Sequence, residues 1–151
     1  MEPKIPPQIR DYPLIRVCRP DECRSHNNCT GGKRPVTSAD DFDSVDRIKS
    51  WLNRGGNYGV VPQSSNDLVI YDVDSEEMSR ILNQELPSTF RVRSGGNDYG
   101  EHWYYQCAEA DSQRNWDTPE GGVNVKNWQV VAPGSIHGET GNEYEVIDDS
   151  E

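Results

Sequence analysis

Hydrophobic residues along the chain follow two spacings, one typical of β-strands and one typical of α-helices. Apolar residues three and four positions apart predict one helix from Thr37 to Leu52, ended by Gly55-Gly56, and another from Ser75 to Gln84. Short apolar runs between turn residues predict strands at 13–18, 57–61, 68–71, 89–93, 101–107, 123–126, 128–132 and 143–147. Many strands with two helices indicate an α+β domain, a mostly antiparallel mixed sheet flanked by helices.

The 151 residues are enough for one domain with a sizeable core. We expect a loose N-terminal arm at 1–12, a single domain at 13–147 and an acidic tail at 148–151. The strands at 57–61 and 68–71 are close enough in sequence to form a hairpin. The helix residues expected to face the core are Phe42, Val45, Ile48, Trp51, Leu52, Met78, Ile81 and Leu82.

The surface is expected to be very polar, because only 32% of residues are hydrophobic and the mean hydropathy is −0.91. The sequence contains no signal-peptide segment and no apolar run of about 18 residues, the length a membrane helix needs. We therefore expect a soluble, cytoplasmic protein without membrane contact.

The net charge of −11 is unusual for a protein that grips nucleic acid through bulk electrostatics. Either the partner is not a polyanion, or the basic residues are concentrated locally, or the protein works in a very salty cytoplasm. Only 4 of the 15 cationic residues are lysine, which fits a halophilic origin. At molar salt the Debye length falls to about 3 Å, so short-range contacts would decide which partners bind.

Two aspartates directly follow the most apolar strand, in the stretch Asp67–Asp74. Strand side chains alternate between faces, so Asp72 and Asp74 point the same way, roughly 6–7 Å apart at their Cα atoms. Such paired carboxylates suit Mg²⁺ or Mn²⁺. Alternatively, Asp74 or Ser75 only caps the next helix and Asp72 ends a strand in solvent. Glycosyltransferases and nucleases also use strand–Asp-x-Asp patterns.

A polar loop at 18–34 contains four side chains of the types that bind zinc. Cys18, Cys23, His26 and Cys29 lie within a dozen residues, as a tetrahedral zinc site would require. The alternative is a solvated loop with free thiols. An intracellular location and the odd number of loop cysteines argue against a disulfide framework.

Two further loops contain candidate nucleotide-binding residues. The glycine-rich turn Arg93–Gly96 lets backbone N–H groups approach phosphate oxygens, and its arginine adds positive charge. His102 begins the strand that leaves this turn, whereas Ser135 and His137 belong to a later loop. The alternatives are an ordinary hairpin turn and a structural histidine.

Taken in order, these segments resemble the N-terminal domain of bifunctional DNA primase–polymerases, in the archaeo-eukaryotic primase superfamily. They span about residues 32–147, and the acidic composition is similar to that of haloarchaeal members. The stretches that carry the resemblance are Gly32–Pro35, Asn57–Val61, Val69–Asp74, Phe90–Gly96, Glu101–Tyr104 and Gln129–His137.

The resemblance implies a primase-like catalytic core that performs two-metal, template-directed nucleotidyl transfer with Mg²⁺ or Mn²⁺. Asp72 and Asp74 would be the metal ligands, and His102 would contact the triphosphate of the incoming nucleotide. The implied partners are a single-stranded DNA template and primer, dNTP or rNTP, and a replicative helicase, in a plasmid, virus or mobile element. Further residues implied to contact the nucleotide are Arg93, Ser94, Gly95, Gly96, Ser135, His137 and Lys33.

The chain departs from the family pattern at one metal ligand. Asn124 stands where the family usually has a third carboxylate, and an amide oxygen would hold a second metal more weakly. Glu101 and Glu120 are alternative sources of that carboxylate. The alternative function is therefore a catalytically attenuated module that binds nucleotide or DNA within a replication complex.

Overall fold

Nine strands and two helices are present in the part of the chain that the computed structural model describes, residues 4–20, 32–33, 35–36, 42–62, 67–96, 99–106, 116–118, 121–126 and 129–150. The helices are α1 (Val45–Asn53) and α2 (Glu76–Glu85). The strands are β1 (Leu14–Val17), β2 (Asn57–Val60), β3 (Leu68–Val73), β4 (Phe90–Arg93), β5 (Glu101–Gln106), β6 (Trp116–Thr118), β7 (Gly121–Lys126), β8 (Val130–Val131) and β9 (Glu145–Asp148).

The strands form two antiparallel sheets, so the predicted α+β class is confirmed. A three-stranded sheet has the order β1-β2-β8, and a six-stranded sheet has the order β6-β7-β3-β5-β4-β9. Cross-strand neighbours Ile70, Tyr104 and Phe90 share one core with Tyr58 and Val60 of the smaller sheet. The main core therefore lies between the two sheets.

Helix α2 covers the opposite face of the six-stranded sheet. Met78 on this helix is buried in a second cluster with Val73, Trp103 and Val123 of the sheet. The helix begins after Ser75, whose hydroxyl accepts a hydrogen bond of 3.1 Å from the backbone N–H of Met78. Ser75 is therefore the N-cap, and it ties the end of the aspartate strand to the helix.

The segment expected to be a loose arm packs on the domain instead. Ile5 and Ile9 are 1% and 0% exposed and belong to the main core. The side-chain amide of Gln8 donates a hydrogen bond of 2.6 Å to the carbonyl of Asp149. Burial of two isoleucines four residues apart explains why the segment is held in place.

The prediction that the first helix begins at Thr37 is wrong for residues 42–44, and residues 37–41 lie outside the described ranges. Helix α1 begins at Val45, and the hydroxyl of Ser44 caps it. Asp43 is bound instead to β1, because its carboxylate accepts a hydrogen bond of 2.9 Å from the backbone N–H of Arg16. Phe42, expected in the core, is 41% exposed.

The remaining differences concern pairing and exposure. Strands β2 and β3 do not form a hairpin, because β3 pairs with β5 and β7 whereas β2 belongs to the smaller sheet. Strand β6 lies in a stretch that the sequence indicates only as a polar connection. Ile81 is 36% exposed, since α2 buries its Met78 and Leu82 side. In the described ranges, no helix has both the length and the apolar character to cross a bilayer.

Candidate functional site

Three of the predicted site residues lie side by side on neighbouring strands. Asp72 in β3 is directly opposite His102 in β5 and Asn124 in β7. Directly opposed residues of antiparallel strands project from the same face of a sheet. Ile70, two residues before Asp72, lies on the same face and belongs to the main core. The row formed by Asp72 and its two cross-strand neighbours therefore lies at the edge of the main core.

Each oxygen of the Asp72 carboxylate faces a different basic side chain. His102 Nε2 lies 3.7 Å from Oδ1, and Lys126 Nζ lies 3.6 Å from Oδ2. Both distances allow an ion pair but exceed the length of an ordinary hydrogen bond. The side chain of Asp72 is 25% exposed, so the carboxylate is also open to solvent and to a ligand.

The imidazole of His102 is neutral near pH 7 and is poorly satisfied by the protein. Burial lowers its pKa, Asp72 opposes this effect, and the charges of Lys126 and Lys33 lower the pKa further. Its Nδ1 is buried without a hydrogen-bond partner in the described part of the chain. A buried polar atom in this state typically marks either a functional site or a bound water.

Tyr144 connects the two predicted histidines. Its ring is stacked with His102 at a centroid distance of 6.4 Å and with His137 at 5.9 Å. Burial, and secondarily the charge of Asp72, raises the pKa of Tyr144 to about 12, so the phenol stays protonated. The stack brings the loop that carries His137 to the row of Asp72 and His102.

Asn57 joins two of the loops that the sequence singles out. Its amide nitrogen donates hydrogen bonds of 3.0 Å and 2.8 Å to the carbonyls of Gly32 and Ile136, and its oxygen accepts one of 2.8 Å from Ile136 N–H. A β-carbon on Gly32 would lie 2.5 Å from that amide nitrogen, so glycine is required there. The neighbours of Gly32 and Ile136 are the candidate residues Lys33 and His137.

Lys33 lies close enough to both histidines to affect their protonation. Its charge lowers the pKa of His102 and the pKa of His137, although burial is the larger cause in each case. The positive charge on this side of the site therefore comes from Lys33 and Lys126 rather than from the imidazoles.

The glycine-rich loop packs against the loop that follows His137. The carbonyl of Gly95 accepts hydrogen bonds from the hydroxyl of Thr140 and from the side-chain amide of Asn142. A β-carbon on Gly95 would lie 2.6 Å from the carbonyl oxygen of Asn142, and one on Gly96 would lie 3.2 Å from His137 Nε2. The two loops thus meet beside the histidine–tyrosine stack.

A comparison with protein families decides the identity of this arrangement. The family model for the N-terminal domain of bifunctional DNA primase/polymerase, Prim-Pol, matches residues 9–151. The chain belongs to the Prim-Pol family. The resemblance inferred from the sequence is therefore confirmed, and the domain is a nucleotidyltransferase-type unit of a DNA- and nucleotide-binding family. No curated protein matches the chain. The haloarchaeal origin stays a prediction.

Two other candidate residues of this Prim-Pol domain lie at the end of β4 or directly after it. Arg93 is opposite Glu101, whose face of the sheet is covered by α2. The register therefore puts Arg93 on the face away from Asp72. The backbone N–H of Ser94 donates a hydrogen bond of 2.9 Å to the carbonyl of Gly100, which closes the glycine-rich loop.

Ser135 and Asp74 differ in their surroundings. Ser135 is completely buried, and its hydroxyl both accepts from the N–H of Tyr58 and donates to the Tyr58 carbonyl, at 3.1 Å and 3.2 Å. This residue anchors the His137 loop to β2. Asp74 is exposed one residue beyond β3.

The carboxylates of Asp72 and Asp74 and the amide oxygen of Asn124 are groups of the type that Mg²⁺ and Mn²⁺ prefer, and a divalent cation bound by them stays a prediction. Glu101 does not supply a third carboxylate, because it lies on the other face of the sheet; Glu120 is outside the described ranges. Within those ranges, no group of three or more His, Cys, Asp or Glu side chains is placed to hold a metal.

The argument against disulfides in the loop at 18–34 is wrong for Cys18, which is disulfide-bonded. A disulfide consumes the thiolate that zinc would need, so Cys18 does not bind zinc in this form. Cys23, His26 and Cys29 lie outside the described ranges, and the zinc site stays a prediction.

Two residues of the arrangement were not identified from the sequence, Lys126 and Tyr144. Lys126 stands two residues after Asn124, so strand alternation alone could have placed both on one face. Tyr144 lies in a predicted strand, but the sequence contains no signal for its contacts with two histidines.

Proposed function

We propose that this Prim-Pol domain is the catalytic core of a DNA primase/polymerase that extends a DNA strand on a single-stranded template. The observation that carries the proposal is the pairing of Asp72 with His102 at the rim of the core, with Nδ1 of His102 unpartnered. The convergence of Lys33, His137 and the glycine-rich loop on the same place adds to it.

Asp72 and Asp74 would hold Mg²⁺ or Mn²⁺, which when bound supplies charge neutralisation at phosphate oxygens and activation of the primer hydroxyl. Lys33 and Lys126 supply positive charge for the triphosphate in a protein whose net charge is −11. His102, as a neutral imidazole, donates a hydrogen bond from its ring N–H to a phosphate oxygen. The two-metal form of the reaction and the helicase partner stay predictions.

The test is primer extension on a single-stranded DNA template with Mg²⁺ or Mn²⁺, at low and at molar KCl. We expect product from the wild type and a loss of at least about a thousandfold in Asp72→Ala, because the substitution removes a central charge of the site. Arg80→Ala is the control, since Arg80 is 69% exposed in a pair with Glu77 on α2. Incorporation by Asp72→Ala at the wild-type rate would rule out the proposal.

Asn124 favours a second candidate function, a module that binds nucleotide without extending primers. A neutral residue opposite Asp72 weakens the hold on a second cation. This alternative predicts metal-dependent dNTP binding by calorimetry but no extended primer from the wild type. It also predicts that Asn124→Asp restores synthesis.

A further inference from the structure

Two arginine side chains lie against one tryptophan near the C-terminal end of α1. The guanidinium carbons of Arg19 and Arg54 are 5.3 Å and 5.6 Å from the centroid of the Trp51 ring. Both distances are within the range of a cation–π contact. Arg54 is exposed, and Trp51 and Arg19 are half-buried, so the three side chains form a surface feature that we call the Trp51 platform.

The fold fixes the ring of Trp51. Its indole Nε1 donates a hydrogen bond of 2.8 Å to the carbonyl of Val17 in β1. The ring also packs against Gly56, where a β-carbon would lie 2.0 Å from Nε1. The platform therefore holds the two guanidinium groups at a defined place. A guanidinium has five N–H donors, so a contact with a ring does not exhaust its capacity to bind an anion.

The Trp51 platform is next to the candidate nucleotide site. Val17, whose carbonyl accepts from the indole, pairs with Asn57 in the ladder between β1 and β2. The side chain of Asn57 in turn joins the loops that contain Lys33 and His137. A strand of nucleic acid that leaves the site on this side would therefore pass the platform.

The charge of this region differs from that of the whole protein. The segments at 14–20 and 42–57 contain five arginine or lysine residues and two aspartates, a balance of +3, whereas the chain carries −11. One of the two, Asp43, is already paired, because its carboxylate oxygens lie 3.3 Å from Arg16 and 3.4 Å from Arg47. A locally basic surface on an acidic protein indicates a polyanion that is contacted over a short stretch.

We propose that the Trp51 platform binds the phosphates of single-stranded DNA through Arg54 and Arg19. The inference rests on the proposed function, in which this DNA is the template. A single strand has one negative charge per about 3.4 Å, whereas a duplex has one per about 1.7 Å and would be repelled more by the acidic remainder of the chain. Because phosphates carry no sequence information, the platform positions the strand without selecting bases.

The contribution of each arginine can be measured from the salt dependence of binding. For a single strand, the loss of one phosphate contact reduces the slope of log K against log[KCl] by about 0.7, which at about 0.1 M KCl is a fivefold loss of affinity. We expect this change in Arg54→Gln and in Arg19→Gln, and a loss of about 25-fold in the double variant. Arg54→Lys retains the charge and should retain most of the affinity.

The experiment is a fluorescence anisotropy titration of a labelled oligodeoxythymidine with the full chain, at KCl concentrations from about 50 to 200 mM and without nucleotide or metal. A hairpin duplex is titrated in parallel. Arg80→Gln is the matched control, because it removes one arginine, 69% exposed, from α2 on the opposite face of the six-stranded sheet. Thermal melting checks that each variant is folded.

The expected result is lower affinity and a smaller salt slope in both glutamine variants, wild-type values in Arg80→Gln, and weaker binding of the duplex. Unchanged slopes in Arg54→Gln and Arg19→Gln, or an equal loss in Arg80→Gln, would overturn the inference, while primer extension by the wild type would still support the proposed function. Tighter binding of the duplex would overturn the choice of a single strand. No DNA binding together with no extended primer would remove both proposals.

Discussion

Two carboxylates near the same end of the six-stranded sheet lie in opposite environments. Glu101 is 2% exposed, and its Oε2 accepts hydrogen bonds of 2.7 Å from Ser79 and 3.0 Å from the indole of Trp103. Asp72 is 25% exposed and has basic nitrogens at 3.6 Å and 3.7 Å. The first carboxylate is satisfied by the protein, whereas the second retains the capacity to bind a ligand.

The difference arises from strand alternation. Glu101 and His102 are consecutive residues of β5, so their side chains leave the sheet on opposite faces. On the α2 face, donors from a helix and an indole surround the carboxylate. On the other face, the row of polar side chains that includes His102 lies at the edge of the main core. Sequence position alone would have grouped both acids as candidate ligands.

The largest expected change in stability comes from removing the satisfied carboxylate. Glu101→Ala leaves two buried donors unpaired and should lower the free energy of unfolding by about 3 kcal/mol. For a domain of this size, that lowers Tm by about 10 °C. Asp72→Ala should change the free energy of unfolding by less than about 1 kcal/mol, because its ion pairs are long and partly exposed.

The measurement is thermal and urea unfolding of both variants beside primer extension by the folded fraction. Glu101→Gln, which retains an acceptor oxygen, should recover most of the lost stability. If Asp72→Ala were less stable than Glu101→Ala, the distinction between the two carboxylates would be contradicted.

A smaller change is expected at Asn57, which is buried like Glu101 but lies beside the loops that we propose bind nucleotide. Asn57→Ala removes three hydrogen bonds and should lower the free energy of unfolding by about 2 kcal/mol. It should also weaken dNTP binding, because Lys33 and His137 lose their common anchor. Calorimetry with dNTP and urea unfolding measure the two effects.

Asn83→Ala is the matched control for Asn57→Ala, since Asn83 is exposed on α2. We expect it to alter neither quantity measurably. Stability lost in Asn57→Ala with full dNTP affinity would show that the loops are positioned without this side chain.

The smallest expected effect concerns Tyr144. Tyr144→Leu removes the ring stacked with His102 and His137 and should lower the free energy of unfolding by about 1 kcal/mol. The imidazole signals of both histidines should shift in NMR spectra, because each ring loses an aromatic neighbour. Tyr144→Phe retains the stack and should leave stability nearly unchanged. A loss in Tyr144→Phe as large as that in Tyr144→Leu would assign the role to the hydroxyl instead.

The sequence predicted most strands and both helices, because their local patterns are strong. It also predicted the strand that contains Asp72 and the strand that begins near His102. These two strands are antiparallel neighbours in the sheet, which places Asp72 directly opposite His102. It failed where tertiary contacts override local pattern. Asp43 accepts a hydrogen bond from β1 instead of joining the helix. The N-terminal isoleucines are buried by contacts with residues far away in sequence.

The environment of each candidate residue could not be read from the sequence. Arg93 lies on the face of the sheet away from Asp72. This follows from its pairing with Glu101, which the sequence alone does not show. The hydroxyl of Ser135 is committed to the backbone of Tyr58, a residue 77 positions earlier. Contacts at such separations depend on the complete fold, and local residue patterns contain no record of them.

The pairing of Gly59 in β2 with Val131 in β8 has a consequence for how the protein reaches its working form. Contacts between residues so far apart in sequence are slow to form, because a long loop must close first. The link through Asn57 from Gly32 to Ile136 has the same requirement. During synthesis, the candidate site would therefore be completed only after the loop that contains His137 has left the ribosome. A nucleotide that contacts both loops would favour the complete fold over partly folded chains by mass action.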